Sequence, residues 1–227
     1  MREKGLIFDL DGVIVDTAKY HFLAWRRLAD TFDVDFDEEK NEQLKGVSRV
    51  DSLRRILDWG GKSLPEGEFQ EAMDRKNRWY LEFINQMQPD EILPGVEQFL
   101  REAKAASYGI ALGSASKNAP AILQKVGLTH YFDSIIDGNR TSRSKPDPEV
   151  FLLGSEDLGL APEHCVVFED AQAGIEAAKA GGMFAIGIGE ADVLQQADHV
   201  IPGFAQFSLT VLESIWKPQN LSHHHHA

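Results

Sequence analysis

Short apolar segments alternate with amphipathic helical segments from residue 96 onward, and this alternation limits the fold more than any other feature of the sequence. Strands are expected at residues 108–113, 134–136, 165–168, 184–188 and 199–201, with helices at 96–106, 120–126, 148–158 and 171–180. Strands joined by crossover helices form parallel sheets with helices on both faces. The sequence therefore predicts an α/β fold with a doubly wound, Rossmann-like parallel sheet.

A further apolar run, residues 5–10, ends at Asp11-Gly12 and predicts a buried first strand closed by a turn. Between residue 17 and about residue 88, polar and charged segments carry apolar residues at helical spacing instead. We therefore expect an α/β core domain of residues 1–16 and 89–221 and a small helical cap, residues 17–88, inserted after the first strand. The His-rich tail, residues 222–227, is expected to be disordered or a tag remnant.

The charge balance excludes several classes of partner. The chain has 36 acidic and 23 basic side chains and a formal net charge of −13, which argues against binding to nucleic acid or to an acidic membrane surface. It contains no apolar run of the roughly 18 residues that span a bilayer.

Cys165 has no second cysteine to pair with and is expected in a buried strand. We expect a cytoplasmic monomer that acts on a small molecule.

Two acids, Asp9 and Asp11, stand two residues apart at the end of the first strand, where side-chain alternation predicts that they point to the same side. This pattern alone could also be a turn with acidic residues. Polar groups follow three other strands, however: Ser114, Lys145 and the pair Glu169-Asp170. Because ligands bind at the carboxyl ends of the strands in such sheets, these groups are expected to meet there.

Four acids at one edge of a sheet repel each other unless a cation lies among them. Carboxylates without cysteine or histidine favour Mg²⁺, so we predict a magnesium site formed by Asp9, Asp11, Glu169 and Asp170. A phosphoryl group at this site would be attacked by Asp9 to form an aspartyl phosphate, with Asp11 as the general acid and base. Ser114 and Lys145 would bind the remaining phosphoryl oxygens.

In order and spacing, these motifs resemble those of the haloacid dehalogenase superfamily: Asp9-Leu10-Asp11-Gly12-Val13, Ser114, Lys145-Pro146-Asp147-Pro148, and Glu169-Asp170 followed by Ala173-Gly174. The resemblance covers the whole core domain. The cap also resembles the sugar-phosphate mutase branch of this superfamily, in Thr17, His21, residues 41–49 and Arg75-Lys76-Asn77, and so does the run Ser114-Ala115-Ser116-Lys117-Asn118. Gly113 departs from the family pattern, in which alanine is usual.

The resemblance implies an isomerase that interconverts beta-D-glucose 1-phosphate and D-glucose 6-phosphate. It implies one Mg²⁺ per subunit, a phospho-enzyme and glucose 1,6-bisphosphate as the bound intermediate. His21 and Lys76 are then expected to act in closure of the cap around the sugar, and Thr17 at the hinge that links closure to Asp11. The substrate-binding residues expected on this basis are Lys45, Gly46, Val47, Ser48, Arg49, Ser52, Lys76, Ser116, Lys117 and Asn118.

Several alternatives remain open from the residues alone. Arg49 could be a solvated helix charge, and Lys76 cannot be chosen over Arg75 or Arg78 without the resemblance. The enzyme could be a phosphatase of the same superfamily, with water as the acceptor, or the chain could be a non-catalytic sugar-phosphate sensor. A second phosphate site at Arg49, Ser116, Lys117 and Asn118 favours the mutase, and the two acids Asp9 and Asp11 argue against the sensor. Glucose phosphate and disaccharide phosphates are not distinguished.

Overall fold

The computed structural model describes residues 2–45 and 47–218, which fold into two compact units. One unit contains the chain before Thr17 and the chain from Pro89 onward, and the other is Thr17–Gln88. Gly46 and the His-rich tail at residues 222–227 lie outside the described residues. Within the described ranges, no helix has both the length and the apolar character needed to cross a bilayer.

The first unit is built on strands that alternate with helices. Its strands are β1 (Gly5–Phe8), β2 (Gly109–Gly113), β3 (Ser134–Ile136), β4 (Cys165–Glu169), β5 (Phe184–Ile188) and β6 (His199–Ile201). The second unit contains the helices α1 (Ala18–Thr31), α2 (Glu38–Gln43), α3 (Arg49–Trp59) and α4 (Glu66–Ile84). The first unit then adds α5 (Val96–Ala105), α6 (Ala119–Val126), α7 (Glu149–Leu158), α8 (Gln172–Ala180) and α9 (Leu209–Ile215), with short 3-10 turns at Pro89–Glu91, Thr129–Tyr131 and Pro162–His164.

The described strands form one sheet in the order β3-β2-β1-β4-β5-β6. Every pairing is parallel, with β1 hydrogen-bonded to β2 on one side and to β4 on the other. The chain first adds strands on one side of β1 and then on the other, so the strand order reverses between β1 and β4. The predicted doubly wound parallel sheet is confirmed.

The two faces of the sheet have different cores. On one face the rings of Phe8 and Phe168, neighbours on β1 and β4, stack with their centroids 4.8 Å apart, and Phe99 of α5 contacts both edge-on. On the other face Ile7 and Val167 pack in a buried cluster that includes Phe151 of α7. Alternate residues of each strand thus anchor helices on opposite faces, which holds the strand ends in fixed positions.

The helical unit has a core of its own. Buried apolar side chains from α1, α3 and α4, including Leu28, Ile56 and Ala72, form a single cluster. Helix α3 begins at a cap in which the Ser48 hydroxyl oxygen accepts a hydrogen bond from the Asp51 amide at 3.2 Å. The apolar spacing along these helices therefore reflects packing within the unit.

The observed elements differ from the predicted ones mainly at their ends. The first strand ends at Phe8 rather than at residue 10, because the carbonyl of Leu10 accepts the amide of Ile14 at 2.9 Å and the chain turns there. Helix α9 carries no counterpart among the predicted helices. The other predicted strands and helices of the core begin and end within one residue of the observed ones.

The backbone conformation and close contacts of Gly95 predict that no other residue is tolerated there without a loss of stability. Gly95 immediately precedes α5 with φ +82°, and a Cβ there would lie 2.2 Å from the carbonyl oxygen of Phe204. Gly127 has a similar φ of +79°, but a Cβ there would meet no described atom within 4 Å. Gly127→Ala should lower the free energy of unfolding by about 1–2 kcal/mol through its backbone conformation. Gly95→Ala should cost about 1–3 kcal/mol more because of the overlap.

Urea denaturation of the two variants and the parent protein measures this difference. Equal losses in the two variants would contradict the proposed contact with Phe204.

Candidate active site

The site lies where the strand order reverses. Asp9 directly follows β1, Glu169 is the last residue of β4, and Asp170 follows it. The amide of Asp9 donates to the carbonyl of Phe168 at 3.0 Å, so the pairing of the two strands continues to the first acid of the site. In open parallel sheets this crevice at the carboxyl ends of the strands is where ligands bind.

Three carboxylates converge there. Asp9, Glu169 and Asp170 each offer an oxygen within 4.8 Å of the others, and the Glu169 side chain is 1% exposed. One Glu169 oxygen accepts the amides of Asp170 at 3.0 Å and Ala171 at 3.1 Å. Gly174 of α8 leaves the space for this carboxylate, because a Cβ there would lie 2.0 Å from it.

The ammonium of Lys145 joins this cluster from the loop between β3 and α7. Its Nζ donates to Glu169 at 2.8 Å, to Asp9 at 3.2 Å and to the carbonyl of Gly113 at 3.3 Å. It also lies 4.9 Å from the centroid of the Phe151 ring. The Lys145 side chain is 10% exposed, so these partners, rather than water, stabilise its positive charge.

The charged groups in this cluster shift one another's pKa values. Burial by itself lowers the pKa of Lys145, but attraction to Asp9 and Glu169 outweighs it, and the pKa lies above its ordinary value. Burial raises the pKa of Glu169 well above its ordinary value, and repulsion from Asp9 adds to this although Lys145 opposes it. The cluster thus holds more negative charge than one ammonium compensates.

This donor set fits Mg²⁺. Three carboxyl groups outnumber the one ammonium, and hard oxygen donors are the ligands that Mg²⁺ prefers. The group of described residues contains three of the four predicted carboxylates. Asp11 is not in this group, and its part in metal binding stays a prediction.

Ser114 follows β2 at the same edge of the sheet and is buried. Its amide donates to Ile136 at 2.9 Å, and its hydroxyl oxygen accepts the amide of Ser116 at 3.1 Å. The hydroxyl proton can therefore donate to another acceptor. Ser116 in turn accepts the amide of Asn118 at 3.1 Å, and Lys117 is exposed between them. The predicted run 114–118 forms an ordered turn that leads into α6.

The helical unit places two of its predicted residues together. Nζ of Lys76 lies 2.9 Å from Nδ1 of His21, and the His21 ring stacks on Tyr80 with centroids 4.0 Å apart. Lys76 is 3% exposed, and its Nζ lies over the rings of Trp25 at 4.5 Å and Tyr80 at 4.9 Å. Because an ammonium can only donate, Nδ1 of His21 accepts and the neutral ring carries its proton on Nε2.

His21 is held in this neutral form. Burial, with the positive charges of Lys76 and Arg49, keeps the pKa of His21 well below its ordinary value. The structure also distinguishes Lys76 from its basic neighbours. Arg75 and Arg78 form ion pairs with Glu71 at 3.1 and 3.8 Å, whereas Lys76 points into the unit.

The remaining predicted residues of this unit lie before α1, between α2 and α3, and on α3. Arg49 donates to the Asn77 side chain at 3.2 Å and is half-buried, while Lys45 is exposed. Ser52 is buried in α3, and Ser48 caps that helix. Val47 is half-buried, and its amide donates to the carbonyl of Leu44 at 2.9 Å.

Thr17 is buried before α1, and among the described residues its hydroxyl has no hydrogen-bond partner. Gly46 lies outside the described residues.

Sequence reasoning missed the rings that surround the two buried lysines. Tyr80 stands four residues after Lys76 on α4, a spacing that places both on one helix face and could have indicated the contact. Phe151 beside Lys145 had no such signal. Gly113 departs from the family pattern at this point, and a Cβ there would lie 3.0 Å from the Phe151 ring.

Comparison with known proteins identifies relatives with sugar-phosphate substrates. Residues 3–182 match the family described as haloacid dehalogenase-like hydrolase. The beta-phosphoglucomutase of Bacillus subtilis is 43% identical over 216 residues, which cover 94% of this chain and 96% of that protein. A phosphorylated carbohydrates phosphatase of Thermotoga maritima is 32% identical over 79% of this chain and 82% of its own length.

The fold is shared as well. The crystal structure of beta-phosphoglucomutase from Clostridium difficile superposes with a TM-score of 0.90 at 40% identity, covering 94% of this chain and 97% of that one. The likeness extends over nearly the whole length of both chains and includes both units.

The acidic cluster gives a prediction for metal binding. Asp170→Asn removes one carboxylate of the group and should weaken Mg²⁺ binding at least about tenfold, because a ligand charge is lost. Titration of the protein with MgCl₂ in a calorimeter measures the affinity without any turnover. Glu190→Gln, which removes an exposed carboxylate of the same unit, should bind Mg²⁺ as the parent does. Unchanged affinity in Asp170→Asn would place the metal elsewhere.

The neutral state of His21 predicts a pH effect on stability. Its folded pKa lies below the unfolded value of about 6.5, so the unfolded chain binds more protons and stability falls as the pH drops below that value. Between pH 7 and 5.5 the parent should lose about 1 kcal/mol more than His21→Gln. Urea denaturation of both proteins at the two pH values gives the comparison. The same loss in both would show that the pKa of His21 is not lowered in the folded protein.

Proposed function

Because the chain belongs to the haloacid dehalogenase-like hydrolase family, we propose that it is a Mg²⁺-dependent beta-phosphoglucomutase. As an isomerase of this kind it interconverts beta-D-glucose 1-phosphate and D-glucose 6-phosphate. The observation that carries the proposal is the Lys145 ammonium between Asp9 and Glu169, beside the third carboxylate of Asp170. The 43% identity to the Bacillus subtilis enzyme supports the choice of reaction.

We assign the covalent step to Asp9. In the first half-reaction, the phosphoryl group on the Asp9 carboxylate passes to the sugar O6, giving glucose 1,6-bisphosphate and the free carboxylate. In the second, the Asp9 carboxylate attacks the phosphorus at C1, the bond to O1 breaks, and glucose 6-phosphate leaves. Asp11 takes the proton from O6 in the first step and donates a proton to O1 in the second.

Lys145 and Ser114 act on the transferred phosphoryl group. The Lys145 ammonium stabilises negative charge on its oxygens, and the Ser114 hydroxyl proton donates to one of them. Mg²⁺, which Asp9, Asp11, Glu169 and Asp170 would hold, would supply further positive charge to the phosphoryl oxygens. Because Lys145 is already fixed by its carboxylate partners, little reorganisation is needed when charge develops.

We carry over the predicted substrate contacts as part of the proposal. In the helical unit, Arg49 binds the phosphate that is not being transferred, and Lys76 with His21 binds the sugar. Lys45, Gly46, Val47, Ser48 and Ser52 contribute further contacts, and Thr17 acts at the hinge. In the α/β unit, Ser116, Lys117 and Asn118 bind phosphate oxygens near the start of α6. As the sequence predicts, we propose a cytoplasmic monomer without nucleic-acid or membrane partners.

A phosphatase of a small sugar phosphate is the second candidate. It is favoured by the relatives named as phosphatases, including the Thermotoga maritima protein at 32% identity. The chemistry at Asp9 would be the same, with water in place of the sugar hydroxyl. A non-catalytic sensor has less support, because binding alone does not need a nucleophile held beside a buried ammonium.

One assay separates these functions. The protein is supplied with beta-D-glucose 1-phosphate, Mg²⁺ and a trace of glucose 1,6-bisphosphate, and glucose 6-phosphate and free phosphate are followed together. We expect rapid glucose 6-phosphate with little free phosphate, and none of either with Asp9→Asn. Mainly free phosphate would identify a phosphatase, and turnover by Asp9→Asn would contradict the assignment of the nucleophile.

Arg49 provides a second test that distinguishes substrate binding from chemistry. Arg49→Ala should lower the mutase kcat/KM by about 10²-fold or more, because a charge-assisted contact to phosphate is lost. Hydrolysis of acetyl phosphate, which has no second phosphate, should change little. Arg54→Ala, which removes an exposed arginine of the same helix, is the matched control. Equal losses of both activities in Arg49→Ala would show that Arg49 does not bind the second phosphate.

A further inference from the structure

Lys145 stands in a loop whose position must be fixed by something other than regular secondary structure. The loop, residues 137–148, joins β3 to α7 and is called the lysine loop below. Ser142, Arg143 and Ser144, which immediately precede Lys145, are exposed. The Nζ nevertheless reaches three acceptors within 3.3 Å. A misplacement of about 1 Å is enough to impair such a site, so the anchors of this loop matter.

The first anchor is Asp157, in the last turn of α7. Its carboxylate accepts two hydrogen bonds from the Arg140 guanidinium, at 2.6 and 3.2 Å, and one from the Ser134 hydroxyl at 2.5 Å. These bonds hold the pKa of Asp157 below its ordinary value. A single carboxylate thus connects the start of β3, the lysine loop and the end of α7. The paired guanidinium bonds also fix the direction of approach.

The second anchor is Glu149, in the first turn of α7. Its two carboxylate oxygens accept the amide of Ser142 at 2.8 Å, the amide of Arg143 at 3.1 Å and the Ser142 hydroxyl at 3.1 Å. The amide of Glu149 itself donates to the Asp147 side chain at 3.0 Å. Glu149 therefore holds the backbone two and three residues before Lys145.

Both anchors stand on a helix that is itself fixed to the sheet. Phe151 and Gly154 of α7 are buried, and a Cβ on Gly154 would lie 3.2 Å from the Ile7 side chain on β1. The same helix supplies the Phe151 ring beside the Lys145 ammonium. The sheet therefore fixes α7, α7 fixes the lysine loop, and the loop in turn fixes Lys145.

We propose that Glu149 and Asp157 are positioning residues that fix the lysine loop and thereby place the Lys145 ammonium for phosphoryl transfer at Asp9. The proposal rests on the assignment of Lys145 to that transfer under the proposed function. Neither residue touches the reacting atoms. The ion pair of Asp157 with Arg140 is exposed, and exposed ion pairs add little to stability, so loss of Asp157 is expected to change the rate of transfer much more than the stability of the fold.

The test measures phosphorylation of Asp9 by acetyl phosphate in the presence of Mg²⁺, followed by intact mass, so it needs no sugar. Glu149→Ala should slow phosphorylation at least about tenfold, and Asp157→Asn should slow it several-fold. Glu149→Gln keeps one carbonyl acceptor and should fall between Glu149→Ala and the parent. The control is Glu97→Gln, which breaks an exposed pair with Arg101 at 3.2 Å on α5 and should leave the rate unchanged.

The thermal midpoint of each variant separates positioning from general damage to the fold. We expect the Asp157→Asn midpoint to stay within about 5 °C of the parent, so that this variant carries the test even if Glu149→Ala folds poorly. A parent-like rate in both Glu149→Ala and Asp157→Asn would overturn the proposal. A loss of rate that only follows the loss of midpoint, with Glu149→Gln no better than Glu149→Ala, would overturn it as well.

A double-mutant cycle shows whether the effect passes through Lys145. If it does, Glu149→Ala should slow phosphorylation no further in a chain that already carries Lys145→Ala. Full additivity of the two losses would contradict the proposal. If Lys145→Ala alone phosphorylates at the parent rate, the assignment of Lys145 fails, and with it the premise, whereas a slow Lys145→Ala with a fast Glu149→Ala contradicts only the role of the loop.

Discussion

The ammonium of Lys145, buried between the carboxylates of Asp9 and Glu169, is the interaction on which the site depends. Charges removed from water are costly unless each has close partners of opposite sign. Here Asp9 follows β1, Glu169 ends β4 and Lys145 comes from a loop. The charges therefore balance only when all three segments are in place. Removal of the ammonium would leave several carboxylates facing one another at the carboxyl ends of β1 and β4.

The sheet makes this arrangement possible because it brings two strand ends together without the help of the loops. Strands β1 and β4 are hydrogen-bonded neighbours, and their stacked rings, Phe8 and Phe168, hold them on one face. Helix α7 packs on the opposite face and controls the loop that carries Lys145. The acids are therefore fixed by the sheet, whereas the cation is fixed by a helix behind it.

The helical unit gathers its polar groups in a different way. Lys76 and His21 are 55 residues apart in sequence, and the packing of α1 against α4 brings their side chains to 2.9 Å. Aromatic rings from both helices enclose the ammonium. Burial keeps the imidazole neutral, so the ring can accept from Lys76 with one nitrogen and donate with the other. A cation and a hydrogen-bond donor are thus presented together by a packed helical core.

Hydrophobic periodicity and strand-end motifs are local properties of the chain, so they were enough to predict the sheet, the insertion after its first strand and the polar residues at the strand ends. Which of these groups meet depends on how the elements pack. Tertiary packing brought Asp9, Glu169 and Asp170 into one group, and it selected Lys76 over Arg75 and Arg78, since one helix face is buried. It also placed Phe151, Glu149 and Asp157 around the lysine loop. Such contacts join residues far apart or on different elements, and no local pattern encodes the distances between them.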